Sequence, residues 1–287
     1  IRALLDKYDG RATVGEVGDG YRSLSTVAAY TNGGDKLNMC YTFDLLSPNF
    51  TAAHIRKCVD AVEKSIKDGW ICWAFSNHDV VRHVSRWGAT VLDRDAYAKM
   101  TSALLLTQRG SVCIYQGEEL GLTEAEIAFE DLQDPYGIQF WPEFKGRDGC
   151  RTPMVWDDHA VQAGFSTAQK TWLPIPVEHV LRSVNTQVGK PESVLEHYRR
   201  FLAFRRQYPA FAKGDITFHE AGEDTLVYTR AFGNEKLLCM FNMGADQASL
   251  SMPAGNWVEL EGHGFVSNVN DNKVELPAWG AYFARHA

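Results

Sequence analysis

No run of about 18 apolar residues occurs in this 287-residue chain, so no segment reads as a membrane-spanning helix. Basic charge is also scarce. With 29 Lys and Arg against 36 Asp and Glu, the formal net charge is −7, and the chain repels a phosphate backbone on average, which disfavours nucleic acid as a partner. The six cysteines (Cys40, Cys58, Cys72, Cys113, Cys150, Cys239) form no close pair of the kind that makes a zinc knuckle or a redox dithiol. Buried thiols in a reducing, cytoplasmic compartment are the expectation. The opening segment Ile1–Tyr8 carries Arg2, Asp6 and Lys7 and lacks the charged-then-apolar layout of a signal peptide. Short repeats and low-complexity tracts are absent too. What is present, 45% apolar and 23% charged residues, suits a folded chain of one large domain and one small one. Aromatic residues at 12% suit a ring-stacking ligand or, equally, a large core.

After a helical start at Ile1–Tyr8, short β-rich runs alternate with helical ones, the pattern of parallel strands joined by crossover helices. Strands are predicted at 12–17, 37–43, 70–75 and 112–115, with a short connection over Tyr21–Tyr30. A helix is predicted over Thr51–Lys67, where Ile55, Cys58, Val59, Val62 and Ile66 line one face and Gly69 is placed for a left-handed cap. Further helices are predicted at 95–108, closed by Gly110, and at 191–208, opened by Pro191. Between them, 117–190 reads as a long irregular loop, rich in Pro, Gly and Trp; such a loop is usually functional. From residue 212 to 287 short strands separated by turn residues (216–219, 226–230, 236–241, 248–252, 257–260, 281–283) read as an antiparallel all-β domain. The division is thus 1–211 and 212–287. Four β/α units occupy the first part, whereas a closed β/α barrel needs eight.

In β/α folds reactive groups gather where strands end at their carboxyl side. Glu16, His78-Asp79 and Gln116-Gly117-Glu118-Glu119 all fall at such ends. A carboxyl group beside apolar residues, such as Glu16 between Gly15 and Val17, loses hydration and is suited to keep a proton to give away. An aspartate opposite, kept ionised by hydrogen bonds, can orient a hydroxyl or steady positive charge at carbon.

Thr13-Val14-Gly15-Glu16-Val17, followed by Phe75-Ser76-Asn77-His78-Asp79-Val80-Val81-Arg82, resembles two ordered motifs of glycoside hydrolase family 13, the α-amylase family. Tyr115–Gly121, Leu132-Gln133-Asp134-Pro135 and Gly146–Trp156 resemble its α-glucosidase and oligo-1,6-glucosidase branch. The resemblance implies the second half of a (β/α)8 TIM barrel, strands five to eight, followed by the β-domain. It implies an α-glucoside oligosaccharide as substrate and the following roles. Glu16 is the general acid/base. Asp79 holds the 2- and 3-hydroxyls of the glucosyl ring, and His78 donates to the same sugar. Arg151 clamps the terminal glucose, with Arg147 as the competing assignment. Arg82 orients Glu16 or Asp79, and Phe43 is an acceptor-side wall, as are Phe129 and the stretch Phe140–Glu143. Asp44 is read as a subsite or structural residue.

A retaining enzyme of this family also needs an Asp nucleophile in a Gly-x-Arg-x-Asp motif upstream of the acid. No such motif occurs in the chain. The expectation is therefore the carboxyl-terminal half of such an enzyme, inactive alone, its sheet closed by a missing amino-terminal half-barrel or by self-association. No cofactor is implied; the family's calcium ligands lie largely upstream. Glucosyl transfer, sucrose isomerisation and a noncatalytic carbohydrate-binding remnant are the alternatives.

Overall fold

The computed structural model describes residues 1–18 and 22–287. The chain divides into two compact units, one of Ile1–Ala74, Met100–Cys113 and Phe201–Ala287, the other of Phe75–Lys99 and Ile114–Arg200.

In the first unit, β1 (Val14–Val17), β2 (Met39–Thr42), β3 (Ile71–Trp73) and β4 (Ser111–Val112) form one parallel sheet in sequence order. Glu16 stands opposite Tyr41, Cys40 opposite Ile71, and Cys72 opposite Ser111. All four strands are shorter than the apolar runs that announce them. Residues 71–77 stay buried although pairing ends at Trp73, so hydrophobicity here marks burial on both faces rather than the length of the ladder. Tyr21 lies outside the described residues, and the rest of its predicted connection becomes the helix Ser23–Thr31.

The predicted 51–67 helix spans Ala52–Ser65, its amino end capped by Thr51, whose Oγ1 accepts from the His54 N–H at 3.1 Å. Gly69 does not act as its left-handed cap. Ile66 leaves the helix in extended geometry, φ −104°, ψ 104°. Gly69 serves close approach instead: a Cβ there would lie 2.3 Å from Thr31 Oγ1, and its N–H donates to Asn32 Oδ1 at 3.0 Å. The other two long helices are Arg94–Leu106 and Val194–Gln207. Ser193 rather than Pro191 caps the latter, its Oγ accepting from the Glu196 N–H at 3.2 Å.

The antiparallel region contains β5 (Asp215–Phe218), β6 (Thr225–Phe232), β7 (Glu235–Asn242), β8 (Ala248–Ser251), β9 (Trp257–Glu259), β10 (Asn268–Asn270), β11 (Lys273–Leu276) and β12 (Ala281–His286). Five strands pair in the order β5-β6-β7-β12-β9 and three in the order β10-β11-β8. Leu238 and Met240 of β7 join Leu250, Val274, Leu276 and Tyr282 in one core. Phe241 and Phe283 point the other way, into an aromatic cluster with Phe201, Phe204 and Phe211. Burial on both faces explains the unbroken apolar run in β7. Strands β10 and β11 were not foreseen: Asn268, Asn270, Asp271 and Asn272 signal a turn, and β10 is wholly exposed, so no apolar alternation betrays it.

In the second unit, the segment read as an irregular loop packs its own core. Leu120, Leu122, Met154, Val155, Ala163 and Leu195 form one cluster, and Ala125, Ile127 and Leu132 form another with Trp141 against it. Short helices Pro135–Gln139, Val177–Val180 and Val184–Gln187 punctuate it. His179 is fully buried, its ring between Thr123 O (2.9 Å) and Thr152 Oγ1 (3.3 Å). Burial, helped by the Arg82 cation, pushes its proton affinity down to about 4.

Candidate functional site

The segment after β3 carries Ser76-Asn77-His78-Asp79 and is pinned from within the second unit. Asn77 Oδ1 accepts from the Asp79 N–H at 2.9 Å, an Asx turn that sets the direction of the loop. Ser76, buried, accepts from the His83 N–H at 2.9 Å. His83 Nδ1 lies 3.3 Å from Glu118 Oε1, both groups buried. The Arg82 N–H donates to Glu124 Oε2 at 2.9 Å. The base of the loop is therefore fixed on both sides of Asp79.

Asp79 itself reaches the surface. Its side chain is 38% exposed, and that of His78 is 53% exposed. Two guanidinium groups converge on one oxygen: Arg147 Nη1 donates to Asp79 Oδ1 at 3.0 Å and Arg151 Nη2 at 2.9 Å. Arg151 Nε also donates to the His78 carbonyl at 2.7 Å. The other oxygen, Oδ2, lies 3.6 Å from His78 Nε2. A carboxylate so held has one oxygen committed to the two arginines and presents its second oxygen to a hydroxyl-bearing or positively charged ligand. Arg151 and Arg147, the two competing assignments for the clamp, thus meet at Asp79.

Arg147 has a second carboxylate, which sequence reasoning did not single out. Its Nε donates to Asp134 Oδ2 at 2.8 Å and its Nη2 to Asp134 Oδ1 at 3.1 Å. Asp134 also caps the helix Pro135–Gln139 by accepting from the Tyr136 N–H. The Arg147 fork, then these backbone donors, hold the Asp134 carboxyl down at about 2. Asp134 stands within the Leu132-Gln133-Asp134-Pro135 motif but was given no role there; its Asp-Pro pair also favours a helix start.

Arg82 is spent elsewhere. Its buried guanidinium donates to the carbonyls of Gln116 and Cys150 (2.9 Å for the latter), and burial lowers its proton affinity. It braces the loop's foot rather than touching Asp79.

In the first unit, Glu16 sits in β1, which forms one edge of the parallel sheet. Glu16 is exposed, so the loss of hydration inferred from its apolar neighbours is not present among the described residues. The cause is the edge itself: β1 pairs on one side only, and even Val14 is 58% exposed. Phe43, 37% exposed, lies with its ring centroid 5.7 Å from that of Tyr41. Asp44 opens the short turn Asp44–Leu46, and its carbonyl lies 3.1 Å from His54 Nε2, a structural use. In the second unit, Phe129 and Phe140 are 45% and 48% exposed.

Comparison with known proteins identifies the family and the fold. The model for the Alpha amylase catalytic domain matches residues 1–214, and that for the Maltogenic Amylase C-terminal domain matches residues 216–283. A "Probable alpha-glucosidase" of Rhizobium meliloti (strain 1021) is 55% identical over 288 residues, covering 100% of this chain and 52% of that protein. An "Oligo-1,6-glucosidase" of Heyndrickxia coagulans is 29% identical over 298 residues, covering 91% of this chain and 53% of the relative. The crystal structure of the alpha-glucosyl transfer enzyme XgtA superposes with a TM-score of 0.94 at 46% identity, covering 100% of this chain and 53% of that one. The chain spans about half the length of the curated relatives it matches. The four parallel strands are accordingly part of a TIM barrel, followed by an antiparallel β-domain. From the Asp79 loop, the two strand systems and matches over nearly the whole sequence, the chain belongs to glycoside hydrolase family 13, the α-amylase family, among its α-glucosidase and oligo-1,6-glucosidase relatives.

Proposed function

We propose that the chain is the carboxyl-terminal half of a retaining, exo-acting α-glucosidase that removes the terminal non-reducing α-glucosyl residue of small oligosaccharides. The observation that carries this reading is Asp79: half-exposed and held on one oxygen by two arginines, with the other oxygen 3.6 Å from His78 Nε2. In the proposed reaction Asp79 holds the 2- and 3-hydroxyls of the ring, bonds that strengthen as the sugar flattens toward its cation-like transition state. His78 donates to the same ring, and Arg151 closes the pocket around it. Arg82 and Phe43 serve as brace and acceptor-side wall.

Glu16 gives its proton to the glycosidic oxygen while the nucleophilic aspartate of a companion half-barrel bonds to the anomeric carbon and the aglycone leaves. Water then attacks that carbon, its proton passing to Glu16 as the bond to the aspartate breaks and frees that carboxylate, and glucose departs with its configuration retained. Alone, the chain lacks the attacking carboxylate and is inactive. The open edge at β1, with Val14 exposed, supports closure by such a half-barrel rather than an isolated sheet. Residues 1–211 form the barrel portion in this reading, and 212–287 the β-domain. Six cysteines without a disulfide support a reducing, cytoplasmic setting.

The test is complementation. Mixing the chain with the separately expressed amino-terminal half of the Rhizobium meliloti relative should release glucose from maltose, isomaltose or sucrose, whereas neither half does so alone. Release by the chain by itself, or none from a folded mixture, contradicts the proposal. A second reading, glucosyl transfer to a sugar acceptor, is favoured by the similarity to XgtA. Product analysis at high maltose separates the two: trisaccharide marks transfer, glucose alone marks hydrolysis.

A further inference from the structure

Two arginines grip Asp79, but they are not equivalent. Arg151 makes its bonds within the His78-Asp79 loop, to Asp79 Oδ1 and the His78 carbonyl. Arg147 is tied at its far end. Asp134, whose side chain is fully buried, receives the Arg147 N–H at 2.9 Å, Nε at 2.8 Å, Nη2 at 3.1 Å and the Tyr136 N–H at 3.2 Å. The backbone that carries Asp134 is itself fixed, because buried Asp148 accepts from the N–H groups of Gln133 (2.6 Å) and Asp134 (2.8 Å). Gly146 lets the two strands of the loop close on this carboxylate. It has φ +80°, and a Cβ there would lie 2.8 Å from Gly137 Cα and 3.1 Å from Asp134 Oδ2. The Tyr136 ring lies 5.5 Å from the guanidinium, which leaves the fork little freedom.

We propose that Asp134 is a positioning residue acting through Arg147: it locks the guanidinium so that one remaining N–H fixes Asp79 Oδ1 and leaves Oδ2 aimed at the sugar. Arg151 is then the arm available to the ligand, and Arg147 is a strut. A buried carboxylate with four donors costs more to disturb than an exposed ion pair, so the strut keeps its geometry when a saccharide arrives. Misplacing a reacting group by about 1 Å costs on the order of a hundredfold in rate, which is the scale of benefit such a strut provides. The proposal rests on the α-glucosidase reading for its functional consequence, but the geometric relay stands on the chain's own contacts.

Two measurements separate them. Crystal structures of the chain and of Asp134→Asn test the relay without activity. The expected result is that Arg147 leaves Asp79 Oδ1 and the Asp79 carboxylate turns, whereas in Asp79→Asn the Arg147–Asp134 fork persists. An unmoved Asp79 in Asp134→Asn overturns the proposal. Steady-state kinetics of the two-half enzyme then test the consequence: Asp134→Asn and Arg147→Lys each lower kcat about a hundredfold with KM little changed. The double variant loses no more than either single one, because both break the same relay. Additive losses, or a lowered melting temperature with kcat intact, overturn the proposal. If Asp134→Asn does not fold, Arg147→Lys carries both measurements. If the wild-type pair of halves is inactive, the α-glucosidase reading fails and the crystallographic comparison alone decides the relay.

Discussion

The strands of the first unit differ between the centre of a sheet and its edge. In the antiparallel region the central strands β7 and β12 are covered on both faces: Leu238, Met240 and Phe283 are fully buried. In the parallel sheet the edge strand β1 leaves Val14 58% exposed. The antiparallel edge strands β9 and β10 likewise leave Val258 and Val269 52% and 43% exposed, so it is the interior strands of each sheet that bury their apolar side chains.

Core truncation exposes the contrast most sharply. Phe283 meets the rings of Phe201, Phe204, Phe211 and Phe241. Phe283→Ala should cost about 3–5 kcal/mol in urea denaturation of the isolated chain. A loss below about 1 kcal/mol would mean that this cluster is not the keystone described. Acid comes next. His179 binds a proton near 4 when folded and near 6.5 when unfolded, so the unfolded chain takes up more protons between those values. Stability is complete above about pH 6.5 and falls by about 3 kcal/mol as pH drops toward 4. Replacing His179 with Gln should flatten that slope, and an unchanged slope would assign it to other groups. The smallest effect belongs to the open edge. Val14→Thr should change the stability of the isolated chain by no more than about 0.5 kcal/mol, yet weaken its association with the companion half in sedimentation experiments. A large loss in the isolated chain would show that β1 is already part of a closed core.

Much of this was legible in the amino acids, and the gaps have physical causes. Helical periodicity located Ala52–Ser65 because Ile55, Cys58, Val59 and Val62 really do face a core. Periodicity says nothing of helix ends, so Gly69 was misjudged: its small size is used against Thr31 and Asn32, which are remote in sequence. The strands of the parallel sheet were found by their apolar runs but overextended, since burial continues after pairing stops. Glu16 was expected to be dehydrated from its neighbours, but exposure is set by the sheet edge, a property of topology rather than of adjacent residues. Asp79 and Arg151 were singled out through motif order, and the structure pairs them at 2.9 Å. Asp134 was quoted within a motif but given no role, because its fork with Arg147 reaches 13 residues along the chain.

The most direct measurement is the rate of the two-half enzyme with Glu16→Gln on maltose, set beside α-glucosyl fluoride with azide added. General acid–base catalysis contributes about 10²–10⁴-fold. Maltose hydrolysis should fall by that amount, while azide, which needs no proton removed, restores turnover of the fluoride and yields glucosyl azide. Wild-type speed on maltose, or a loss that azide leaves untouched, would remove Glu16 from the proton-transfer role on which the proposed reaction depends.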